Sequence, residues 1–230
     1  MLGHVINAGG GESDGEQVLD ILAAHPSTAR FISTKLARRF VSDTPPPALV
    51  DRAAARFRET GGDLREVMRT ILTSPEFLSP QAYRAKVKTP FEFVVSALRA
   101  TGAEVDAAER QTRKGREEQD AKALVRELQQ LGMPLYMCQP PTGYKDTADA
   151  WVNTGVLVNR MNFALRLAGN QLPRTAAGSP SALDILDSQA VIARLLSGDV
   201  SDTTRATIAK ATTAPQMMAL TLGSPEFQRR

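Results

Sequence analysis

Cysteine is almost absent here: Cys138 stands alone among 230 residues. One thiol excludes an intrachain disulfide and any cysteine-rich zinc site. It leaves the compartment open, because exported proteins can also lack disulfides. Histidine is nearly as scarce, with His4 and His25 only and no HExxH string to hold a metal. A Walker loop and a dinucleotide glycine fingerprint are missing too, so neither a metal nor a cofactor is expected. Long apolar runs are absent. None approaches the ~18 residues that a membrane span needs, so an integral membrane protein is not expected. Aromatic residues reach only 5%, which leaves Leu, Val, Ile, Ala and Met to fill the interior. Nor does one sign of charge dominate. The 28 Lys and Arg are interspersed with 25 Asp and Glu, and so mixed a surface implies no nucleic-acid partner.

What is present is a chain long enough to bury a real core, with 42% hydrophobic residues. Its periodicity is helical almost throughout. Residues 1–15 are glycine-rich and read as loop around one short apolar piece, Val5-Ile6. Helix is expected from about Glu16 to Ala24, with Val18, Leu19, Ile21 and Leu22 inward. From Thr28 to Val41, the apolar Ala29, Ile32, Leu36 and Phe40 recur at helical spacing. Opposite them lies a basic face of Arg30, Lys35, Arg38 and Arg39, either a phosphate grip or a solvated surface. The prolines at 45–47 start a third helix with Leu49, Ala53 and Phe57 as its stripe, since proline in a first turn lacks only a donor that would be unpaired there. Asp63 with Glu66, and Thr89 with Glu92, have capping-box spacing. Glu92 is thus a cap before it is a candidate acid. Leu124, Val125, Leu128 and Leu131 form another stripe, and 181–197 and 203–222 are helical again.

Two phrases nearly coincide: LTSPEF from Leu72 to Phe77 and LGSPEF from Leu222 to Phe227. Two similar helical units around a central buried helix would explain them, and so would convergent helix-end chemistry. The run Glu109 to Lys122 mixes acidic and basic side chains with almost nothing to bury. It reads as a connector between an N-terminal helical part, 1–108, and a C-terminal one, 123–230. The expected fold is all-α, a multi-helix bundle-like domain with long loops, forming one compact unit.

Two places carry residues suited to chemistry. Gly11-Glu12-Ser13-Asp14-Gly15 satisfies G-x-S-x-G, in which glycines permit a strained strand-to-helix turn that lifts a serine hydroxyl towards a base. Ser13 would be the nucleophile and His25 or His4 its base, with Val5-Ile6 as the stub of strand. Turn chemistry in a loop explains the string equally. The second place is the stretch from Pro134 to Ala168, which holds the only Trp, the only Cys and two of the three Tyr. Its rigid Pro140-Pro141 corner displays Gln139, Thr142 and Tyr144; Asp146, Asp149 and Trp151 follow at the start of a helix. Carboxylates beside aromatics suit carbohydrate recognition, and Asp146 with Asp149 could run glycoside hydrolysis if ~5–10 Å apart. The bland reading has Asp146 or Thr147 capping the helix and Trp151 in the core. Asn153, Asn159, Arg160 and Asn162 lie on an otherwise apolar helix, where buried amides need partners. A polar network is therefore expected there. Cys138 is read as a small buried hydrophobe.

Several long phrases also carry a resemblance: HPSTARFISTKLARRFVSDTPPPALVDR, DLREVMRTILTSPEF, YRAKVKTPFEFVVSALRATGA and QPPTGYKDTADAWVNTGVLVNRMNFALRLA. In this order they resemble the C-terminal half of a large bacterial family catalogued as a domain of unknown function, number 1800 in its series. Members are usually about twice as long as this chain, and Met1-Leu2 leads straight into GHVINAGGG without a signal peptide. A fragment of a longer protein is the expectation. The resemblance implies an exported parent, periplasmic or extracellular, encoded beside another exported protein. It supplies no catalytic residues. The expected function is a helical ligand-binding or interaction module, with Gln139, Thr142, Tyr144, Trp151, Asn153 and Arg160 as its contact surface. Its partner would be a carbohydrate or the neighbouring protein. The rival is a hydrolase, a glycosidase through Asp146 and Asp149 or an esterase through Ser13.

Overall fold

In the computed structural model, which describes residues 2–7, 9–105, 123–172, 175–176 and 187–230, regular structure begins at Glu12. The described residues form an all-α fold of ten α-helices. The only sheet among them is a two-residue antiparallel ladder, Glu104–Val105 with Thr175–Ala176. Val5-Ile6 is irregular. Contacts group the chain into two compact units, Met1–Lys86 and Val87–Arg230. The charged run Glu109 to Lys122 lies outside the described residues.

The first unit holds α1 (Glu12–Ala24), α2 (Pro26–Phe40), α3 (Pro47–Glu59) and α4 (Leu64–Leu72). Proline opens α2 and α3 at the position where a missing N–H is harmless. The core interleaves Ala29 and Ala37 of α2, Leu49, Ala53 and Phe57 of α3, and Val67 and Ile71 of α4. Small residues on α2 let α3 approach closely. One expectation fails here. No residue of α1 is buried, and Leu19 is 66% exposed where an inward side chain was expected. On the basic face of α2, Arg30 and Lys35 are exposed and Arg30 pairs with Asp51, while Arg38 is half-buried and donates to the Asp43 carbonyl at 3.1 Å. Lys86, which periodicity leaves unremarked, is buried beside the Asp43 carboxylate.

The second unit holds α5 (Pro90–Thr101), α6 (Ala123–Gln130), α7 (Thr154–Ala168), α8 (Ser188–Leu196), α9 (Asp202–Ile208) and α10 (Ala214–Gly223). The capping box at Thr89 is complete: its hydroxyl accepts the Glu92 N–H, and Glu92 accepts the Thr89 N–H at 2.9 Å. Gly102 ends α5 in the left-handed region at φ 62°, open to glycine without a Cβ clash. Phe93 is the centre of the core, edge-on to Phe163 (5.7 Å) and Phe227 (6.1 Å). One face of α7, with Phe163, Ala164, Leu167 and Ala168, packs against α10 and α5. The opposite face, with Val158, Asn162 and Leu165, is exposed. So α7 is amphipathic and not the wholly interior pillar that its apolar content suggests.

The repeated phrase is a repeated structure. Asp63 caps α4 and Thr213 caps α10 through their side chains, and both helices end in the same turn. Ser74 and Ser224 are buried, and each hydroxyl accepts the N–H of the phenylalanine three residues on, at 3.1 and 3.2 Å. Each glutamate then ties an upstream element. Both oxygens of Glu76 accept from Nη2 of Arg52 on α3, and Glu226 receives the Ser201 N–H and the Thr204 hydroxyl at the start of α9. One cap–helix–turn element therefore occurs in each unit. The Glu66 arm of the other capping box is diverted, because Glu66 pairs with Arg56 instead.

Candidate functional site

The G-x-S-x-G string lies at the start of α1, and no strand precedes it among the described residues. Ser13 donates to the Gly10 carbonyl (3.0 Å), and Asp14 accepts the Gly10 N–H (3.0 Å), so the string closes its own turn. His25 caps α2, its Nδ1 accepting the Ser27 N–H at 3.1 Å. The strand–turn–helix setting that gives such a serine its reactivity is not formed by these residues.

The two carboxylates of the central stretch are committed to different cations. Asp146 faces Arg230 at 4.0 Å, and Asp149 faces Lys145 at 3.9 Å. A hydrogen bond from Thr147, aided by Lys145, holds the exposed Asp149 carboxyl below its ordinary range. A glycosidase acid needs the opposite shift, upward by burial. The Pro140-Pro141 corner itself is exposed, as are Gln139 and Thr142. Its base is closed from within. Tyr144 donates to the Pro134 carbonyl (2.5 Å), Trp151 Nε1 donates to the Lys145 carbonyl (2.9 Å), and the two rings sit 6.0 Å apart. Burial pushes the Tyr144 hydroxyl's pKa up. Trp151 is 5% exposed and follows a single 3-10 turn, Ala148–Ala150, so it is a buried wedge ahead of α7 and presents no open face. Asn153 is the cap of α7, accepting the Val156 N–H at 2.9 Å. Cys138 is half-buried, not fully enclosed.

Arg160 departs furthest from expectation. It is 1% exposed and therefore lies off any contact surface. Its fork donates to Gln228 Oε1 (2.6 Å) and to the Lys88 carbonyl (2.8 Å), with the guanidinium 5.2 Å from the Phe93 centroid. The Gln228 carbonyl also accepts the Lys88 N–H, and its own N–H donates to the Ser224 carbonyl. The Lys88 ammonium lies 3.9 Å from the Phe227 ring centre. Arg160 thus locks α7 to the turn after α10 and to the strand-like entry of α5. Burial pulls its pKa down to about 10, opposed by Glu92, so the charge persists at neutral pH. Its Nε is buried without a hydrogen-bond partner among the described residues. The polar network expected along α7 is dispersed: Asn153 caps, Arg160 locks, and Asn159 donates to the Gln130 carbonyl at 2.9 Å.

That last bond crosses a groove of about 460 Å³ between α6 and α7, lined by Glu127 and Gln130 on one side and Asn159, Asn162, Leu165 and Arg166 on the other. Arg166 grips both oxygens of Glu127, one at 2.9 Å, and Glu127 is only 7% exposed. A two-armed charge-assisted pair in a partly dry setting fixes both side chains. Gln130 and Asn162 are exposed at the rim. The arrangement offers amide donors and acceptors around a neutralised ion pair, above an apolar floor at Leu131. It has the mixed lining of a binding groove.

A model of the family described as "Protein of unknown function (DUF1800)" matches residues 1–229. The chain belongs to that family. No curated protein and no solved structure matches it. For this DUF1800 chain, Glu127, Gln130, Leu165 and Arg166 are the groove residues that sequence reading missed, whereas Asn159 and Asn162 stand out in the sequence as amides on an apolar helix. The signal was present. Glu127 falls on the same helical stripe as Leu124, Leu128 and Leu131, where a carboxylate must find a cation, and Arg166 follows Phe163 on the facing helix. Val125, taken as part of that stripe, is instead exposed. Among the described residues no group of three or more His, Cys, Asp or Glu is placed to hold a metal, and no helix is long and apolar enough to cross a membrane.

Proposed function

We propose that this chain is a ligand-binding module of a larger exported bacterial protein, with the α6–α7 groove as its site. The observation that carries the reading is the Glu127–Arg166 pair. It is an ion pair fixed in both arms, flanked by the exposed amides of Gln130 and Asn162, in a groove of ligand size. Small-ligand sites span ~300–1,000 Å³ and use few polar groups held in place by neighbours, and this groove has both properties. Export rests on the family resemblance alone.

A hydrolase reading has weaker support. Asp149 is exposed with its carboxyl held low, Asp146 faces Arg230, and Ser13 closes its own turn. The discriminating experiment screens the purified chain on chromogenic glycosides and esters. In parallel, ligand-induced thermal shifts are recorded with neutral oligosaccharides, peptides and nucleotides. Expected are no turnover, and at least one stabilising ligand whose effect is lost in Asn162→Leu. Turnover abolished by Asp146→Asn or Ser13→Ala would establish the hydrolase instead.

A further inference from the structure

We infer that the α6–α7 groove takes a neutral, hydroxyl-rich chain, an oligosaccharide, whose outer rings lie against Tyr136; this rests on the groove being the binding site. Charge decides the class first. Arg166 and Glu127 neutralise each other inside the groove, and its other lining residues carry no charge. A phosphate or carboxylate ligand would find its counter-charge already occupied, and a cationic ligand likewise. What remains to recognise a ligand is a set of planar amides. Each amide offers donors and an acceptor side by side, and sugar hydroxyls on adjacent carbons ask for that pairing, since every hydroxyl both donates and accepts. Asn159 already spends one N–H on the Gln130 carbonyl, which fixes its plane and leaves its oxygen directed by that bond. Asn162 and Gln130 are exposed at the rim, while the exposed Leu165 supplies the apolar surface that the C–H face of a pyranose needs.

A second, independent observation extends the site. Tyr136 is the most exposed aromatic residue described, fully open to solvent, and its backbone sits in the left-handed region at φ 60°. Leu2, Arg84, Asn170 and Ser197 adopt that conformation too; what singles out Tyr136 is its fully open aromatic ring. It follows the groove residue Leu131 by five positions, so chain reach places its Cα within about 18 Å of the groove floor. An open aromatic face at that range suits a ligand longer than one or two rings.

The test titrates the whole ¹⁵N-labelled chain with hexaoses of glucose, galactose and N-acetylglucosamine, with the matching disaccharides, and with a neutral Gly-Ser-Thr hexapeptide. Side-chain amide resonances of Asn159 and Asn162 are the readout. At least one hexaose is expected to shift them, with affinity falling about tenfold in Asn162→Leu, the loss of roughly one ligand hydrogen bond. Tyr136→Ala should weaken the hexaose severalfold and leave the disaccharide unchanged. Shifts by the peptide and by none of the sugars would overturn the oligosaccharide assignment while keeping the groove as the binding site. No groove shift with any probe would overturn both. Equal weakening of disaccharide and hexaose by Tyr136→Ala would remove the extended platform.

Discussion

Arg160 shows how far one side chain's meaning depends on what surrounds it. In the sequence it is a cation on a helix near a proline corner; in the structure it is interior, and two separate stretches of chain, 88–93 and the turn at Gln228, converge on it. Its replacement by alanine should lower stability by about 3 kcal/mol, because the Gln228 side chain and the Lys88 carbonyl lose charged donors without access to water. Arg160→Lys should recover only part of this, since an ammonium cannot span both acceptors as a fork does. Urea denaturation measures both. Trp151→Phe keeps most of the apolar volume and removes the bond to the Lys145 carbonyl, for an expected loss of about 1–2 kcal/mol. Equal stability of Arg160→Ala and wild type would show that the lock contributes nothing.

At the scale of elements, the cap–helix–turn unit at Asp63–Phe77 and Thr213–Phe227 makes paired predictions. Ser74→Ala and Ser224→Ala should each cost about 1–2 kcal/mol, as each leaves a phenylalanine N–H without its acceptor. A large loss at one site with none at the other would mean that the resemblance is only in sequence. Glu226 adds a pH dependence. Burial raises its pKa, but hydrogen bonds from Ser201 and Thr204 outweigh that and hold it below the ordinary glutamate value of 4.5. A carboxyl lowered on folding stabilises above its unfolded pKa, and that contribution is lost as pH falls through the folded value. Stability should therefore decline below about pH 4.5, and Glu226→Gln should flatten part of the decline in a pH series of thermal melts. The helices themselves were legible because periodicity and caps are local. Thr89 with Glu92, the proline starts and Gly102 act within one turn of their own positions, so the sequence contains the whole interaction.

For the molecule as a whole, the two units have separate buried clusters, one centred on Leu49 and Val67 and the other on Phe93 and Phe163. The only tryptophan belongs to the second unit, so its fluorescence reports that unit while far-ultraviolet dichroism reports both. Denaturation curves from the two signals are expected not to coincide; superimposable curves would mean one cooperative unit. The sequence alone determined that the chain is helical, where most helices start and stop, and that the SPEF turn occurs twice. It determined these because helical periodicity, side-chain caps and proline geometry are settled within a few residues. Only tertiary structure decided which polar residues turn inward. Glu127 with Arg166, Lys86 with Asp43, and Arg160 with Gln228 and Lys88 are each brought together across tens of residues, and burial is tolerable for them only once the partner arrives. A charged side chain's place depends on a partner that local sequence does not name, and so the groove came into view only when α6 and α7 were side by side.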